Sequence, residues 1–388
     1  MATGLDELSA SAEGARDGSG NELRTVGEGP GSALAARYRA EAMPASTRAA
    51  YGADWARFTA WCHRTGHPAL PASPRVVGDY LAEAAALIDE TARAVYAPAT
   101  LARWVAGINA AHRAAGHPAP GADPLVAATL RGIRATRRTP PRRAKPLRLE
   151  QLSIILARID RAHWPAAVKG RRDTALLLLG FAGALRRSEL AALTLTDLEI
   201  DDGALITRIR ASKTDQDAAG ATIACPRGTH RATCTACALL DWALLLDVDT
   251  AAARPGVLAL LHQDKKRRPQ THRCTDPDAL QTWTHLQKNH GGEPVFRPVT
   301  KAATIGARAI SGAAVADVVQ ARLTAAGLDP TGFSGHSLRA GFVTDAFTAG
   351  ATAHEIMRQT RHAAPATLEA YARHYTPLEA NAVTRLGL

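Results

Sequence analysis

The chain has 388 residues, enough for two or three domains, and because 46% of them are hydrophobic, most of it should fold. Its 47 lysines and arginines exceed its 36 aspartates and glutamates, and the net charge of +11 favours nucleic acid as a partner over an ordinary basic enzyme. The sequence has no signal-peptide pattern, no apolar run of about 18 residues that could span a membrane, and no cysteine pattern of a secreted disulfide framework. A cytoplasmic protein without a membrane partner is therefore expected.

The first part of the chain divides into a polar tail and a helical domain. Residues 1–45 are rich in glycine, serine and acids and poor in large apolar residues, so we expect this tail to be disordered. In residues 46–136, apolar residues recur about every 3.6 positions in four segments, which predicts a compact helical domain. The segments open with helix-start signals at Ser46, Ser73, Ala97 and Pro124.

A basic stretch without acids follows the fourth predicted helix. Three prolines interrupt it, which predicts an extended interdomain linker over residues 137–146. Such runs are usually only solvated, but one placed between folded domains could lie along a phosphate backbone and add salt-sensitive affinity without sequence preference. The candidate contact residues are Arg131, Arg134, Arg137, Arg138, Arg142, Arg143 and Lys145.

Residues 147–388 predict a second domain that is mostly helical, with a small antiparallel sheet. Alternating residues at 198–200 and 205–209 flank Asp201-Asp202-Gly203, which is a hairpin signal, and residues 221–225 could form a third strand. Helices are predicted from Leu149 onward and at 172–182, 184–193, 237–246 and 311–325, and residues 262–294 are predicted to form an inserted loop with a short helix.

The densest group of reactive side chains lies near the C-terminus. His336, Arg339, His362 and Tyr371 fall within the 36 residues from 336 to 371. His336 and Arg339 are three positions apart at a predicted helix start and so share a face. A phosphodiester is a poor electrophile because its oxygens already carry charge, and arginine forks can stabilise the additional charge of the transition state. This group could therefore hold a phosphate and attack it.

Five segments in this order resemble the tyrosine recombinase (phage integrase) family, and among its members the chain is most similar to actinobacterial mobile-element or phage integrases. The resemblance covers residues 46–388. It implies an N-terminal helical, SAM-like core-binding domain and a C-terminal α+β catalytic domain that form a C-shaped clamp on DNA. The segments are Leu185-Arg186-Arg187-Ser188-Glu189-Leu190, Ser212-Lys213-Thr214-Asp215, His336-Ser337-Leu338-Arg339, Arg361-His362 and Tyr371.

The resemblance also implies roles for these residues. Arg186 and Arg339 would bind the non-bridging oxygens, and Arg187, about 100° further round a helix, could not serve equally. Lys213 would be the general acid that protonates the leaving 5′ oxygen. Glu189 would orient Arg186 or the histidines.

Both histidines and a tyrosine complete the implied site. His336 would accept a proton or donate to the phosphate, and His362 would donate to a phosphate oxygen. Tyr371 would be the nucleophile that forms a 3′-phosphotyrosyl ester, and its spacing from His362 favours it over Tyr375, one helical turn on. No cofactor is implied, because the phosphotyrosyl bond keeps the energy of the cut phosphodiester.

One position departs from the family pattern. The family has glycine immediately before the second histidine, and this chain has Arg361. The change could place an additional cation near the phosphate, or it could alter the backbone at His362.

Strand exchange needs four cuts and one chain has one nucleophile, so a homotetramer on two double-stranded DNA segments is expected. A directionality factor or a DNA-bending protein could also take part. Two alternatives stay open at this point: a type IB topoisomerase-like relaxing enzyme, and a DNA-binding regulator of the same fold that has lost catalysis.

The cysteines suggest one further site. Cys225, His230, Cys234 and Cys237 have a spacing that could bind a tetrahedral zinc ion. The alternative, that these cysteines lie in the core without a metal, is favoured, so no metal is expected.

Overall fold

The computed structural model describes residue 38, residues 43–137, 143–210, 220–266 and 271–362, and residue 368, without the side chains of 249–253 and 266. The chain divides into two compact units, Met1–Pro141 and Arg142–Leu388. The division falls within the stretch predicted to be a linker. The expected disordered tail lies outside the described residues, except for Tyr38 and residues 43–45.

Between residues 43 and 137, the described part of the first unit, the chain forms four α-helices, as predicted. The chain turns at Gly66, whose left-handed φ of 75° ends the first helix, and Ser73 caps the second by accepting a hydrogen bond from the Val76 backbone N–H. Phe58, Leu81 and Trp104 lie at the centre of the core. The helices are α1 (Ala45–Thr65), α2 (Pro74–Ala86), α3 (Pro98–Ala114) and α4 (Pro124–Arg137).

The second unit combines helices with a small sheet. The sheet has three antiparallel strands in the order β1-β2-β3, which are Leu198–Asp201, Ala204–Ile209 and Ala221–Cys225. Asp202 and Gly203 both have positive φ at the tight turn between β1 and β2, so the predicted hairpin is confirmed. The helices are α5 (Leu149–Arg158), α6 (Ala166–Ala182), α7 (Arg187–Ala192), α8 (Thr235–Lys266), α9 (Pro277–His290), α10 (Gly312–Ala325), α11 (Ser337–Thr348) and α12 (Ala353–Thr360).

Helix α8 corrects one prediction. The sequence pattern ended a helix at Leu246, and the inserted loop was expected to begin at residue 262, whereas α8 continues through Pro255 to Lys266. Val257 and Leu261, beyond the proline, are almost fully buried in the core. Their packing holds the second half of the helix although proline removes a backbone hydrogen bond there.

Helix α6 and helix α11 form the centre of the second unit. Residues 170–181 of α6 are buried throughout. Helix α11 lies so close to the extended residues before α5 that a Cβ at Gly341 would be 1.8 Å from the Leu147 carbonyl oxygen. The Leu147 backbone N–H donates to the Ser337 carbonyl (2.9 Å), so the start of α11 is fixed against this segment.

Among the described residues, no helix combines the length and the apolar character that a bilayer crossing requires.

Candidate active site

Arg186 lies immediately before α7, where its backbone is extended. Glu189, in the first turn of α7, accepts hydrogen bonds from the Arg186 backbone N–H (2.8 Å) and from Arg186 Nη1 (2.6 Å). The bond from the backbone N–H to the carboxylate is the glutamate half of a capping box. Arg187 is exposed. The backbone of α7 and one carboxylate therefore orient Arg186.

Arg339 lies in the first turn of α11 and is only 1% exposed. Its Nη1 donates to the Ala184 carbonyl oxygen (2.7 Å), two residues before Arg186. His336 is the residue before α11, and its backbone N–H donates to Ser334 Oγ (3.2 Å). Arg339 is thus held on the short segment between α6 and α7 to which Arg186 itself belongs.

Arg361 ends α12 in the left-handed conformation, with φ 56° and ψ 42°. Glycine adopts this conformation without a steric cost, which explains physically why a glycine suits this position. The guanidinium reaches back to the start of α7, where Nη2 donates to Glu189 Oε2 (2.8 Å). Glu189, 3% exposed in its side chain, therefore holds the Arg186 guanidinium through Oε1 and the Arg361 guanidinium through Oε2.

His362 follows Arg361 and contacts the buried Thr360. Its Nδ1 lies 2.9 Å from Thr360 Oγ1, which itself donates to the Ile356 carbonyl oxygen (2.8 Å). One residue earlier, Gln359 Nε2 donates to the Ala182 carbonyl at the end of α6 (2.7 Å) and to the Ala224 carbonyl in β3 (3.3 Å). These contacts fix the end of α12 against α6 and the sheet.

Burial and positive charge both act on the histidines. Burial lowers the pKa of His362 to about 3, helped by the nearby charges of Arg339 and Arg186. The pKa of His336 is also lowered, again by burial first and then by Arg339 and Arg186. Both imidazoles are therefore neutral at pH 7.

The structure thus brings together residues from three separate parts of the chain. We call this group the Glu189 cluster, and its members are Arg186, Glu189, His336, Arg339, Arg361 and His362. It contains three guanidinium groups, one carboxylate and two neutral imidazoles, which is an excess of two positive charges. Such a site suits an anion with two negative charges.

Two predicted site residues and the rival tyrosine lie outside the described residues. Lys213 belongs to the connection between β2 and β3, and Tyr371 and Tyr375 follow α12.

The predicted phosphate-contact residues differ in their surroundings. Arg131 and Arg134 are exposed on α4, whereas Arg137 Nη1 donates to the Tyr96 carbonyl oxygen (2.6 Å). Arg143 is exposed, Lys145 Nζ lies 4.0 Å from Asp329 Oδ2, and Arg138 and Arg142 lie outside the described residues.

The predicted zinc ligands do not come together as a set. Cys234 and Cys237 lie in one cluster, but its other two members are His272 and Cys274 instead of Cys225 and His230. Cys225 ends β3, where Gln359 Nε2 lies 4.0 Å from its Sγ, and burial raises its pKa to about 12. The sequence pattern favoured ligands that are close together along the chain. In the structure, the chain after α8 comes back to Cys234 and Cys237, and it supplies His272 and Cys274 from more than 30 residues away.

Sequence reasoning also missed the contact between Arg361 and Glu189. A signal was present, because a glycine position occupied by arginine indicates a left-handed backbone that needs other support. Nothing in the sequence indicated where the arginine side chain would point.

No protein-family model matches the chain. A curated protein from Selenomonas ruminantium, named integrase/recombinase xerD homolog, is 32% identical over 357 residues, which cover 91% of this chain and 89% of the relative.

Solved structures show lower identities. XerH site-specific recombinase in a post-cleavage complex with palindromic difH substrate is 12% identical, with a TM-score of 0.47 over 86% of this chain and 76% of that one. A lambda integrase (75–356) dimer bound to a COC′ core site is 17% identical, with a TM-score of 0.46 over 91% and 98% of the two chains. The Tn1549 transposon integrase with a circular intermediate DNA is 15% identical, with a TM-score of 0.44 over 81% and 85%.

Proposed function

This chain belongs to the tyrosine recombinase family of site-specific DNA recombinases, and we propose that its Glu189 cluster holds the scissile phosphate while Tyr371 attacks it. The observation that carries this proposal is that Arg186 and Arg361 are held on the same buried carboxylate and that both, together with Arg339, lie near His362.

Arg186 and Arg339 bind the non-bridging oxygens of the phosphate. Both side chains are largely buried and already hydrogen-bonded to Glu189 or to the Ala184 carbonyl, so they need little rearrangement when the phosphate arrives. The five-coordinate transition state approaches two negative charges, which matches the excess positive charge of the cluster. Fixed donors in a site of low dielectric stabilise such a state more than water does.

Arg361 supplies a third guanidinium. Its Nε and Nη1 are buried without a hydrogen-bond partner among the residues that the structure describes, while Nη2 is held by Glu189. Two unpaired donors beside two phosphate-binding arginines suit a further phosphate oxygen. The departure from the family pattern therefore adds a cation to the site.

The chemical step makes one bond and breaks one. The Tyr371 phenolic oxygen attacks phosphorus, the bond from phosphorus to the 5′ oxygen breaks, and the DNA 3′ end stays covalently attached to the protein. His336, neutral in the free site, accepts the phenolic proton, and Lys213 donates a proton to the leaving 5′ oxygen. Attack by the 5′ hydroxyl of a partner strand reverses these steps, and no cofactor is consumed.

His362 gains its proton when the phosphate binds. Thr360 Oγ1 donates to the Ile356 carbonyl and can therefore accept the Nδ1–H of His362, which leaves Nε2 without a proton in the neutral ring. An anion beside the ring favours its protonated form. Nε2–H then donates to a phosphate oxygen.

Recombination needs more than one chain. Four strands are cut, so four protomers act on two DNA segments, each supplying one Tyr371. The C-terminal residues 377–388, which lie outside the described residues, contain apolar side chains suited to docking on a neighbouring protomer. A directionality factor or a DNA-bending protein would act on this assembly.

A suicide-substrate experiment tests the proposal. A DNA site is first selected by the protein from a random-sequence library and then nicked, so that cleavage releases a short fragment and traps the adduct. The wild-type protein and the Tyr375→Phe variant should form a covalent adduct, and Tyr371→Phe should form none. A covalent adduct formed by Tyr371→Phe would contradict the assignment of Tyr371 as the nucleophile. Relaxation of supercoiled DNA of any sequence, without pairing of two sites, would instead support a topoisomerase.

A further inference from the structure

Four side chains with metal-binding atoms converge on one point in the second unit, and none of them belongs to the Glu189 cluster. They are Cys234, Cys237, His272 and Cys274, and their ligand atoms all lie within 4.8 Å of one another. The three cysteines are almost fully buried, and His272 is half-buried. We propose that these residues bind one structural zinc ion.

The distances match a tetrahedral site. With zinc–sulfur bonds of about 2.3 Å and a zinc–nitrogen bond of about 2.0 Å, the edges of a tetrahedron are about 3.8 Å between sulfurs and about 3.5 Å between sulfur and nitrogen. Cys274 Sγ lies 3.5 Å from Cys237 Sγ and 3.9 Å from Cys234 Sγ. His272 Nδ1 lies 3.4 Å from Cys237 Sγ and 3.8 Å from Cys274 Sγ.

A disulfide does not account for this arrangement. Its two sulfurs would be about 2.05 Å apart, and the separations between these sulfurs are far longer. A disulfide would also leave the third thiol and the histidine without a role. Three sulfurs and one imidazole nitrogen form a known zinc ligand set.

Backbone N–H groups donate hydrogen bonds to two of the sulfurs, which favours the thiolate form that binds zinc. The backbone N–H groups of Gly228 and Cys237 donate to Cys234 Sγ, and that of Cys274 donates to Cys237 Sγ. Zinc binding releases the thiol protons, and three thiolates with one neutral imidazole leave one net negative charge around Zn²⁺. Amide hydrogen bonds to the sulfurs offset this charge.

A buried arginine holds the second pair of ligands in position. Arg273, between His272 and Cys274, is 4% exposed, and its guanidinium pairs with Asp241 (2.7 Å) and Asp264 (2.5 Å), both on α8. These ion pairs hold residues 272–274 against α8, and the first turn of α8 carries Cys237. The two pairs of ligands therefore meet because Arg273 binds residues near the start and near the end of α8.

The position indicates a structural role. A Cβ at Gly203, in the turn between β1 and β2, would lie 3.3 Å from Cys274 Sγ. The connection that carries Lys213 leaves β2 at the opposite end, after Ile209. The zinc ion thus joins the far end of the sheet to both ends of α8 and takes no part in phosphate chemistry.

Metal analysis of the full-length protein, purified without chelator, tests this inference. Wild type should contain about one zinc ion per chain by mass spectrometry, and Cys274→Ser should contain almost none. Cys225→Ser and Cys62→Ser are the matched controls, because both residues are buried cysteines outside the cluster, and both should keep the zinc.

Cobalt substitution covers the case in which Cys274→Ser does not fold. The Co²⁺ form of wild type should show tetrahedral bands with thiolate charge transfer. His272→Cys should keep the metal and raise the charge-transfer intensity by about one third, because the number of thiolate ligands rises from three to four. Wild-type protein that folds with zinc in the medium but retains none overturns the inference. Loss of zinc in Cys225→Ser together with its retention in Cys274→Ser overturns it equally.

Discussion

Arg361 Nη2 lies 2.8 Å from Glu189 Oε2, although the two residues are 172 positions apart in the chain. The other oxygen of Glu189 accepts a hydrogen bond from the Arg186 guanidinium. One buried carboxylate therefore ties the end of α12 to the start of α7, and the arginine that departs from the family pattern becomes part of the site.

Two substitutions of Arg361 separate the cost of its left-handed backbone from the contribution of its ion pair with Glu189 to stability. Arg361→Gly removes a left-handed penalty of about 1–2 kcal/mol and also a charge-assisted hydrogen bond of about 1.5–3 kcal/mol, so the free energy of unfolding should change by only about 1 kcal/mol. Arg361→Ala keeps the penalty and loses the bond, so it should be less stable than the glycine variant by about 1–2 kcal/mol. Urea denaturation measures both. Equal stability of the glycine and alanine variants would show that the left-handed backbone at position 361 carries no energetic penalty.

Glu189→Gln should damage both stability and cleavage. The amide has no charge to balance Arg186 and Arg361, and loss of one partner of a buried ion pair costs about 3–5 kcal/mol. Single-turnover adduct formation should fall by roughly 10²-fold because both guanidiniums lose their position. Glu293→Gln, the same change at a carboxylate paired with Arg297, is the control and should cleave normally. Normal cleavage by Glu189→Gln would contradict the positioning role.

Stability should depend on pH through His362. Its pKa falls from 6.5 to about 3 on folding, so the unfolded state binds more protons between these values. The wild type should therefore lose stability as the pH falls below about 6.5, and His362→Gln should lose less. Urea midpoints between about pH 7.5 and pH 5 measure the difference. His354→Gln, at an exposed histidine of α12, is the control. If the stability of His362→Gln fell with pH as steeply as that of the wild type, the assignment of the pH dependence to His362 would be contradicted.

Exposed arginines of α4 should contribute to DNA affinity without sequence preference. Each phosphate contact adds about 0.9 to the slope of log affinity against log salt concentration. Arg131→Gln combined with Arg134→Gln should reduce this slope by roughly 2 on specific and on unrelated DNA alike. Arg64→Gln, whose guanidinium pairs with Glu83 (2.9 Å), should leave the slope unchanged. A double variant with the wild-type slope would exclude these two contacts.

Local signals in the sequence were enough for much of the fold. The hairpin at Asp202-Gly203 was predictable because its turn needs positive φ at both residues, and the α4 start was predictable from Pro124. The continuation of α8 through Pro255 was not, because it depends on the burial of Val257 and Leu261 in the core of the second unit.

The site shows the same division between local and distant contacts. The resemblance to the family motif selected Arg186 over Arg187, helix periodicity indicated only that the two could not serve equally, and in the structure Arg187 is exposed. The pairing of Arg361 with Glu189, and of Cys234 with Cys274, depends on how separate segments pack. Sequence spacing contains no information on such contacts, so a single sequence could name the residues but not their partners. The catalytic roles of Lys213 and Tyr371 stay predictions.

The segment before α5 sets a limit on where the chain can be cut. The Lys145 backbone N–H donates to the Gly332 carbonyl, that of Leu147 donates to the Ser337 carbonyl, and that of Leu149 donates to Asp345 Oδ2. These residues therefore line α11 from before its start to its last turn, beside the arginine at position 339. An isolated catalytic fragment must begin upstream of Lys145, whereas residues could be inserted between 138 and 142 without disturbing these bonds. A protein engineer who replaced the linker up to Pro146 would release one side of the helix that carries Arg339.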